Sequence, residues 1–338
     1  MRYLVLLFLF LFNYTAFTQT LQPGFSKAEY AETIKANARV HYDLEKWDSL
    51  DKIPPSQQYD FIYRSPVVGL ENMWDLWVAK NKSTALVAVR GSVMTQASFL
   101  ANLYAAMVPA NGTLELEKNQ PFHYELANHP NAAVHVGWLI AMAHLAPDIE
   151  HKIDSCYKKG IKQIILTGHS QGGGIIFLLN AYLKNKQIKG SIPKDIIFKT
   201  YCSAGPKPGN LFFAYDYERI NYGGWAYNVV NAADWVPDVP FSIQTVNDFT
   251  KVNPFRNAKK AIKKMKFPSN LIVKHLYNKG FQSPAYYQSN YYVRTGNIIA
   301  LVPGPDYDQQ FNNTPENTNI WEHHLFDPYL YLTNQLPD

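Results

Sequence analysis

Apolar residues recur along this chain with two different periods, and the alternation of the two defines its layout. Short apolar runs rich in β-branched residues lie at 84–89, 163–167, 196–202 and 225–231. Their length and composition are those of strands buried on both faces. Between the first two, the stretch 132–159 spaces Val136, Leu139, Ile140, Ala143, Ile149 and Ile153 at helical intervals, with Pro147 as a bend and Gly160 as a stop. Residues 174–184 repeat the helical period directly after a strand. Strands that alternate with helices predict an α/β fold, a mostly parallel sheet covered by helices on both faces. Two earlier runs, 59–65 and 74–79, and the turn Asn81-Lys82-Ser83 predict that the sheet opens antiparallel.

Further upstream, Ser26 and Glu29 have capping-box spacing, and Phe25 and Tyr30 have that of a hydrophobic staple, so a helix is expected from there to about residue 42. Residues 95–108 are also apolar with a helical period, and put Phe99, Leu100, Leu103, Tyr104 and Met107 on overlapping faces. Such a helix is either a lid or acyl-groove wall, or an ordinary core helix. The least regular region, about 241–319, holds a basic amphipathic piece at 258–266 and a Tyr- and Asn-rich stretch at 286–292, and it reads as an insertion. Within it, 291–294 and 298–302 around Thr295-Gly296-Asn297 are expected to form a hairpin.

No internal repeat or low-complexity linker interrupts the pattern, so residues 19–338 are expected to form a single domain. Residues 1–18 have the make-up of an export signal: Arg2, then an apolar run from Tyr3 to Phe12, then small residues, with cleavage expected just before Gln19. The run is short for a membrane span, and an uncleaved anchor is the alternative. The expected location is therefore periplasmic or secreted. Cys156 and Cys202 are the only cysteines, and either pair or stay buried as small hydrophobes.

With 47% hydrophobic and 17% charged residues the chain has material for a sizeable core, which excludes a disordered tail or fibre. A formal charge of +5 over 338 residues, without a dense basic stripe, excludes nucleic acid as the expected partner. The basic piece at 258–266 fits either a transient contact with an anionic membrane or a solvated helix face. Oligomeric state is not legible. Metal-ligand spacings such as H-x-x-x-H and C-x-x-C do not occur, so neither metal nor cofactor is expected.

Gly168-His169-Ser170-Gln171-Gly172 fits G-x-S-x-G between a buried strand and a helix. The turn must be sharp enough to strain the serine backbone and expose its hydroxyl, and only small neighbours let strand and helix pass so closely. Ser170 is thus the expected nucleophile. A serine hydroxyl needs a base and a group that orients the base, which in this fold follow it in the order acid, then histidine. Asp234 stands just past a strand end and is the expected acid, with Asp238 as competitor. Only His275, His323 and His324 follow, and His324, before a short apolar helix, is favoured over its neighbour. The N–H of Gln171 would supply one oxyanion donor, and the loop Val89-Arg90-Gly91-Ser92 the other.

Taken in order, the motifs over about 87–332 resemble the class 3 lipase family of α/β-hydrolases. Val87-Ala88-Val89-Arg90-Gly91-Ser92 resembles its R-G-[ST] oxyanion loop, His135-Val136-Gly137-Trp138 its H-x-G-[FW] helix start, and Gly168 to Gly172 its elbow. Gly205-Pro206-Lys207-Pro208-Gly209-Asn210 resembles the G-x-P-x-x-G-[ND] loop, and Asp234-Trp235-Val236-Pro237 the D-x-V-P segment. His324 with Tyr329 five residues on resembles the catalytic histidine segment. The resemblance implies an α/β-hydrolase fold with an insertion before the histidine, a Ser170-His324-Asp234 triad, and an oxyanion hole that includes Ser92. It further implies hydrolysis of acyl esters, lipids above all. The same triad also fits acyl transfer or amide hydrolysis, and an exported lipid- or glycan-binding protein is the non-enzymatic alternative. One departure is local: where many members carry a Trp and an Asp after the oxyanion loop, this chain has Phe99-Leu100-Ala101-Asn102-Leu103.

Overall fold

The computed structural model describes residues 20–117, 120–240, 242, 258–267, 271, 274, 291–314 and 316–337. The expected export signal, His275 and most of the expected insertion lie outside the described residues.

The chain begins with α1 (Lys27–His41), capped as the sequence predicts: the Ser26 side chain accepts from the Glu29 N–H, and the Phe25 and Tyr30 rings lie 5.8 Å apart. Strands β1 (Tyr59–Arg64), β2 (Trp74–Ala79) and β3 (Thr84–Val89) then pair antiparallel in succession. Helix α2 (Gln96–Leu103), the short β4 (Met107–Pro109), the hairpin β5 (Asn111–Glu117) and β6 (Gln120–Glu125), and β7 (Ala133–His135) form a layer beside the main sheet. Helix α3 (Val136–Lys158) leads into β8 (Gln163–His169), α4 (Gln171–Ile188), β9 (Ile197–Ser203), α5 (Leu211–Ile220) and β10 (Ala226–Asn231). A short α6 (Ala258–Lys263), β11 (Asn297–Leu301), α7 (Pro305–Gln310) and α8 (Phe326–Asn334) complete the described elements.

Seven strands form one sheet in the order β1-β2-β3-β8-β9-β10-β11, parallel from β3 onward. This is the α/β-hydrolase architecture, with an antiparallel opening as the sequence predicts. Successive residues of the central strands point to opposite faces, and both faces are buried. In β3, Ala85, Val87 and Val89 join a core with α3 and α4, whereas Leu86 and Ala88 join a second core with α1 and α8. The two-sided burial explains why these strands read as continuous apolar runs.

Two expectations change. Residues 291–302 do not form a hairpin: β11 pairs parallel with β10, and Val293 bridges to Gly209 instead. The turn signal at Thr295-Gly296-Asn297 marks the entry into an edge strand, which a local pattern cannot distinguish from a hairpin. The helix expected over 95–108 stops at Leu103, because β4 pairs with β7 and the Val136 and Gly137 N–H groups bond the Ala106 and Tyr104 carbonyls. Backbone groups that a longer helix would use internally are taken by this neighbour. Cys156 and Cys202 are both buried and free, packed as small apolar residues.

Candidate active site

Ser170 sits between β8 and α4 with φ 61° and ψ −129°, the left-handed strain that a tight strand-to-helix turn imposes on a non-glycine residue. The flanking glycines are required by close approach. A Cβ on Gly168 would lie 2.3 Å from the Gly172 carbonyl oxygen, and one on Gly172 would lie 2.3 Å from that of Val89. The turn is also pinned from below, since the Ser170 N–H donates to the Ser203 carbonyl at 2.9 Å.

The carboxyl edge of the sheet brings the other expected residues here. Asp234 follows β10 in a tight turn, and its Oδ1 accepts from the Val236 N–H at 2.9 Å. Its Oδ2 accepts twice, from His324 Nδ1–H at 2.7 Å and from the Tyr329 hydroxyl at 2.8 Å. All three side chains are buried. With Nδ1 committed as donor, the lone pair of His324 is left on Nε2, the tautomer a general base needs. Asp238 lies elsewhere: it is exposed and pairs with Arg294. His323 also turns away, and accepts at Nδ1 from the Tyr307 hydroxyl at 2.8 Å. The two neighbouring histidines thus have distinct partners, and only His324 is joined to Asp234.

The loop Arg90-Gly91-Ser92 leaves β3 and presses on the elbow, where a Cβ on Gly91 would lie 2.9 Å from the His169 carbonyl oxygen and 3.4 Å from Ser170 Cβ. Ser92 is held by Asn102, whose amide donates to its Oγ at 2.8 Å. The same Asn102 accepts from the Trp138 indole at 3.0 Å, and its backbone carbonyl accepts from His135 at 3.3 Å. The segment that departs from the family pattern therefore anchors the loop through a different side chain. Gln171 occupies the first turn of α4, where backbone N–H groups have no intrahelical acceptor, and its side chain is fixed by bonds to Ser98. Gln171, the next residue in the chain, and the loop before Ser92 therefore both lie beside Ser170.

His169 carries more structure than a filler position in the elbow motif suggests. It is buried and neutral, since burial and the nearby His324 push its pKa well below the usual histidine range. Its Nε2–H donates to the His324 carbonyl at 2.7 Å, and its Nδ1 accepts from Ser203 Oγ at 2.9 Å. Ser203 in turn contacts the Tyr30 hydroxyl of α1 at 2.7 Å. The histidine turn is thereby tied to the elbow and to the first helix. In sequence Tyr30 reads only as half of a staple and no motif marks Ser203; their contact joins residues 173 apart.

Among the described residues no group of acidic, histidine or cysteine side chains has the arrangement of a metal site, and no helix is long and apolar enough to cross a membrane. The outer side of α2 exposes Leu100 and Leu103, followed by Tyr104, and buries only Ser98 and Ala101. This is not the burial of an ordinary core helix.

Comparison with known proteins gives the following. Residues 86–244 match the family model for lipase (class 3). No curated protein matches the chain. Solved structures that are similar include a lipase from Yarrowia lipolytica (17% identity, TM-score 0.48, covering 66% of this chain and 77% of that one). Others are the triacylglyceride lipase of Rhizomucor miehei (17%, TM-score 0.45, 65% and 77%) and a lipase from Rhizopus microsporus var. chinensis (19%, TM-score 0.43, 63% and 69%). The segment that holds Ser92, Ser170 and Asp234, residues 86–244, is thus a class 3 lipase domain, the domain of a carboxylic-ester hydrolase.

Proposed function

We propose that the protein cleaves acyl esters, lipid esters among them, through a covalent acyl-enzyme on Ser170. The observation that carries this reading is the buried Asp234 carboxylate held 2.7 Å from His324 Nδ1, beside a serine in a strained elbow. In the first half-reaction Ser170 Oγ attacks the ester carbonyl while His324 Nε2 takes its proton. Asp234 holds the imidazole in the right tautomer and stabilises its charged form. Charge that develops on the carbonyl oxygen is met by the backbone N–H groups of Gln171 and Ser92, fixed in advance by the loop contacts described above. His324 then gives the proton to the departing alcohol, and water repeats the sequence in reverse to free the acid.

The exposed apolar side of α2 suits a lid or groove wall for an acyl chain, and one similar structure is that of a triacylglyceride lipase. Residues 1–18 are read as an export signal, and a mature protein that begins at Gln19 is expected outside the cytoplasm. Release of fatty acid from ester emulsions of graded chain length tests the activity. Hydrolysis by the wild type that disappears in Ser170→Ala supports it, and a folded wild type inactive on every ester would refute it.

A further inference from the structure

The groups around the His324 ring divide into two sets. His169, with its ring 5.0 Å away, and Tyr329 lie buried behind it. Trp321, with its ring centroid 5.9 Å from that of His324, is 40% exposed, and so is Trp235, the residue directly after Asp234. The two indoles are a fixed pair. Their rings lie 5.2 Å apart with an interplanar angle of 53°. Trp235 Nε1–H donates to the Ile320 carbonyl at 2.8 Å, which spends its one polar atom inside the protein and leaves ring surface outward. Trp321 is fixed by the backbone turn that carries the histidine, since the His324 N–H donates to the Trp321 carbonyl at 3.0 Å.

Exposed tryptophan is costly to leave in water, and two such rings on separate loops, held tilted against each other, call for an occupant. Their place beside the histidine says which part of a substrate that is. The imidazole that takes the Ser170 proton must pass it to the leaving oxygen, so the alcohol half of an ester lies on the His324 side of the scissile bond. The acyl half lies toward the oxyanion loop and α2. We propose that Trp235 and Trp321 form a subsite for the alcohol group, selective for alcohols that carry a ring with a flat apolar face, whether an aromatic ring or a pyranose. The step is ordinary acylation: the Ser170 Oγ–carbonyl bond forms, the ester C–O bond breaks, and the serine proton leaves with the alcohol through His324. This rests on the ester-hydrolase reading above and names its substrate class on the alcohol side.

Esters that share one acyl group give the same acyl-enzyme, so differences in kcat/KM among them belong to acylation, the only half-reaction in which the alcohol is bound. Dissolved benzyl butyrate, hexyl butyrate and a glucopyranoside 6-butyrate are compared below their solubility limits, with wild type, Trp321→Leu, Trp321→Phe and Trp235→Leu. The wild type is expected to favour at least one ring alcohol over hexyl by about tenfold, and which one identifies the ring class. Either Leu variant removes the flat face but keeps apolar bulk, and is expected to lose that preference, so that kcat/KM for the ring ester falls about tenfold more than for the hexyl ester. Trp321→Phe restores a planar ring and most of the preference. A wild type without ring preference, or Leu variants that slow all three esters equally, would overturn the subsite while leaving ester hydrolysis intact. Losses that appear only on emulsions would assign the indoles to surface adsorption and overturn it as well. Absence of turnover on every ester would instead remove the underlying reading.

Discussion

Asp234 Oδ2 accepts from both His324 and Tyr329, while Oδ1 is held by the Val236 N–H, so both oxygens of this buried carboxylate are engaged. A hydrogen bond to a charged group contributes about 1.5–3 kcal/mol. Tyr329→Phe should therefore lower kcat/KM by roughly tenfold or somewhat more. Asp234→Asn, which removes the charge and favours the wrong tautomer, should cost about 10⁴-fold in kcat. Asp238→Asn touches only an exposed ion pair and should stay within about twofold. Steady-state kinetics on one soluble ester ranks the three, and a larger loss in Asp238→Asn than in Asp234→Asn would reverse the assignment. At this scale the sequence was informative where chemistry repeats as a local motif. Ser170, Gln171 and Asp234 were legible from turn and strand-end positions, and His324 was separated from His323 by its place before an apolar helix. Tyr30, Ser203 and the anchoring role of Asn102 were not, because they act through contacts between distant segments.

Buried neutral histidines set a pH dependence. Burial pushes His135 down to about 3, and His169 falls well below its usual value for the same reason and through His324. A histidine whose pKa is lowered by folding binds its proton more readily in the unfolded chain. The stability it contributes is complete above about pH 6.5 and is lost as pH falls from there toward about 3 for His135. Thermal unfolding followed from pH 8 to pH 4.5 should show a level Tm above neutrality and a steady fall below about pH 6.5. A Tm that stays level down to pH 4.5 would contradict it.

Between elements, α2 and α3 cross closely, and a Cβ on Gly137 would lie 2.0 Å from the Ala101 carbonyl oxygen. Backbone rather than a flexible side chain is in the way, so Gly137→Ala must push the helices apart. A loss of about 2 kcal/mol or more in unfolding free energy is expected by urea titration. Gly304→Ala, with nothing within 4 Å of its Cβ, should stay within about 0.5 kcal/mol. Equal effects would show that the crossing is not a tight contact. This crossing also explains where helix prediction fell short. The apolar period of 95–108 continues past Leu103, but the pairing of β4 with β7 claims the backbone that would extend the helix. The hairpin expected over 291–302 failed for a related reason, since a parallel edge strand beside β10 is a partner more than 60 residues upstream in sequence. The hairpin of β5 and β6 went unread although Thr113-Leu114-Glu115-Leu116-Glu117 alternates as an exposed strand should.

For the whole molecule, the order of strands and helices was legible because both faces of the sheet are buried, and continuous apolar runs admit few other architectures. What closes the second face is less obvious: α1 packs against α8 and the sheet, so the two ends of the described chain meet there. Tyr30, Ile34 and Val40 of α1 are fully buried, and at about 1.5–3 kcal/mol each their contribution is comparable to the whole margin of a domain, about 5–15 kcal/mol. The helix is also held by the Lys199–Glu29 ion pair, in which Lys199 is 1% exposed. Glu29→Gln would leave that charge buried without its partner and is expected to cost about 3 kcal/mol in urea titration. A loss below about 0.5 kcal/mol would mean that water reaches Lys199. Through Tyr30 and Ser203 the same helix reaches His169 and the turn that carries His324, so the first helix supports the site as well as the core.

The central claim is that Ser170 is a nucleophile activated by His324. It is tested most directly by the intact mass of the folded protein after reaction with a fluorophosphonate, with the adduct mapped to a peptide. One adduct per chain on Ser170 is expected in the wild type, none in Ser170→Ala, and labelling slowed by orders of magnitude in His324→Ala. A folded wild type that takes up no label, or that is labelled elsewhere at a rate indifferent to His324, would contradict the account.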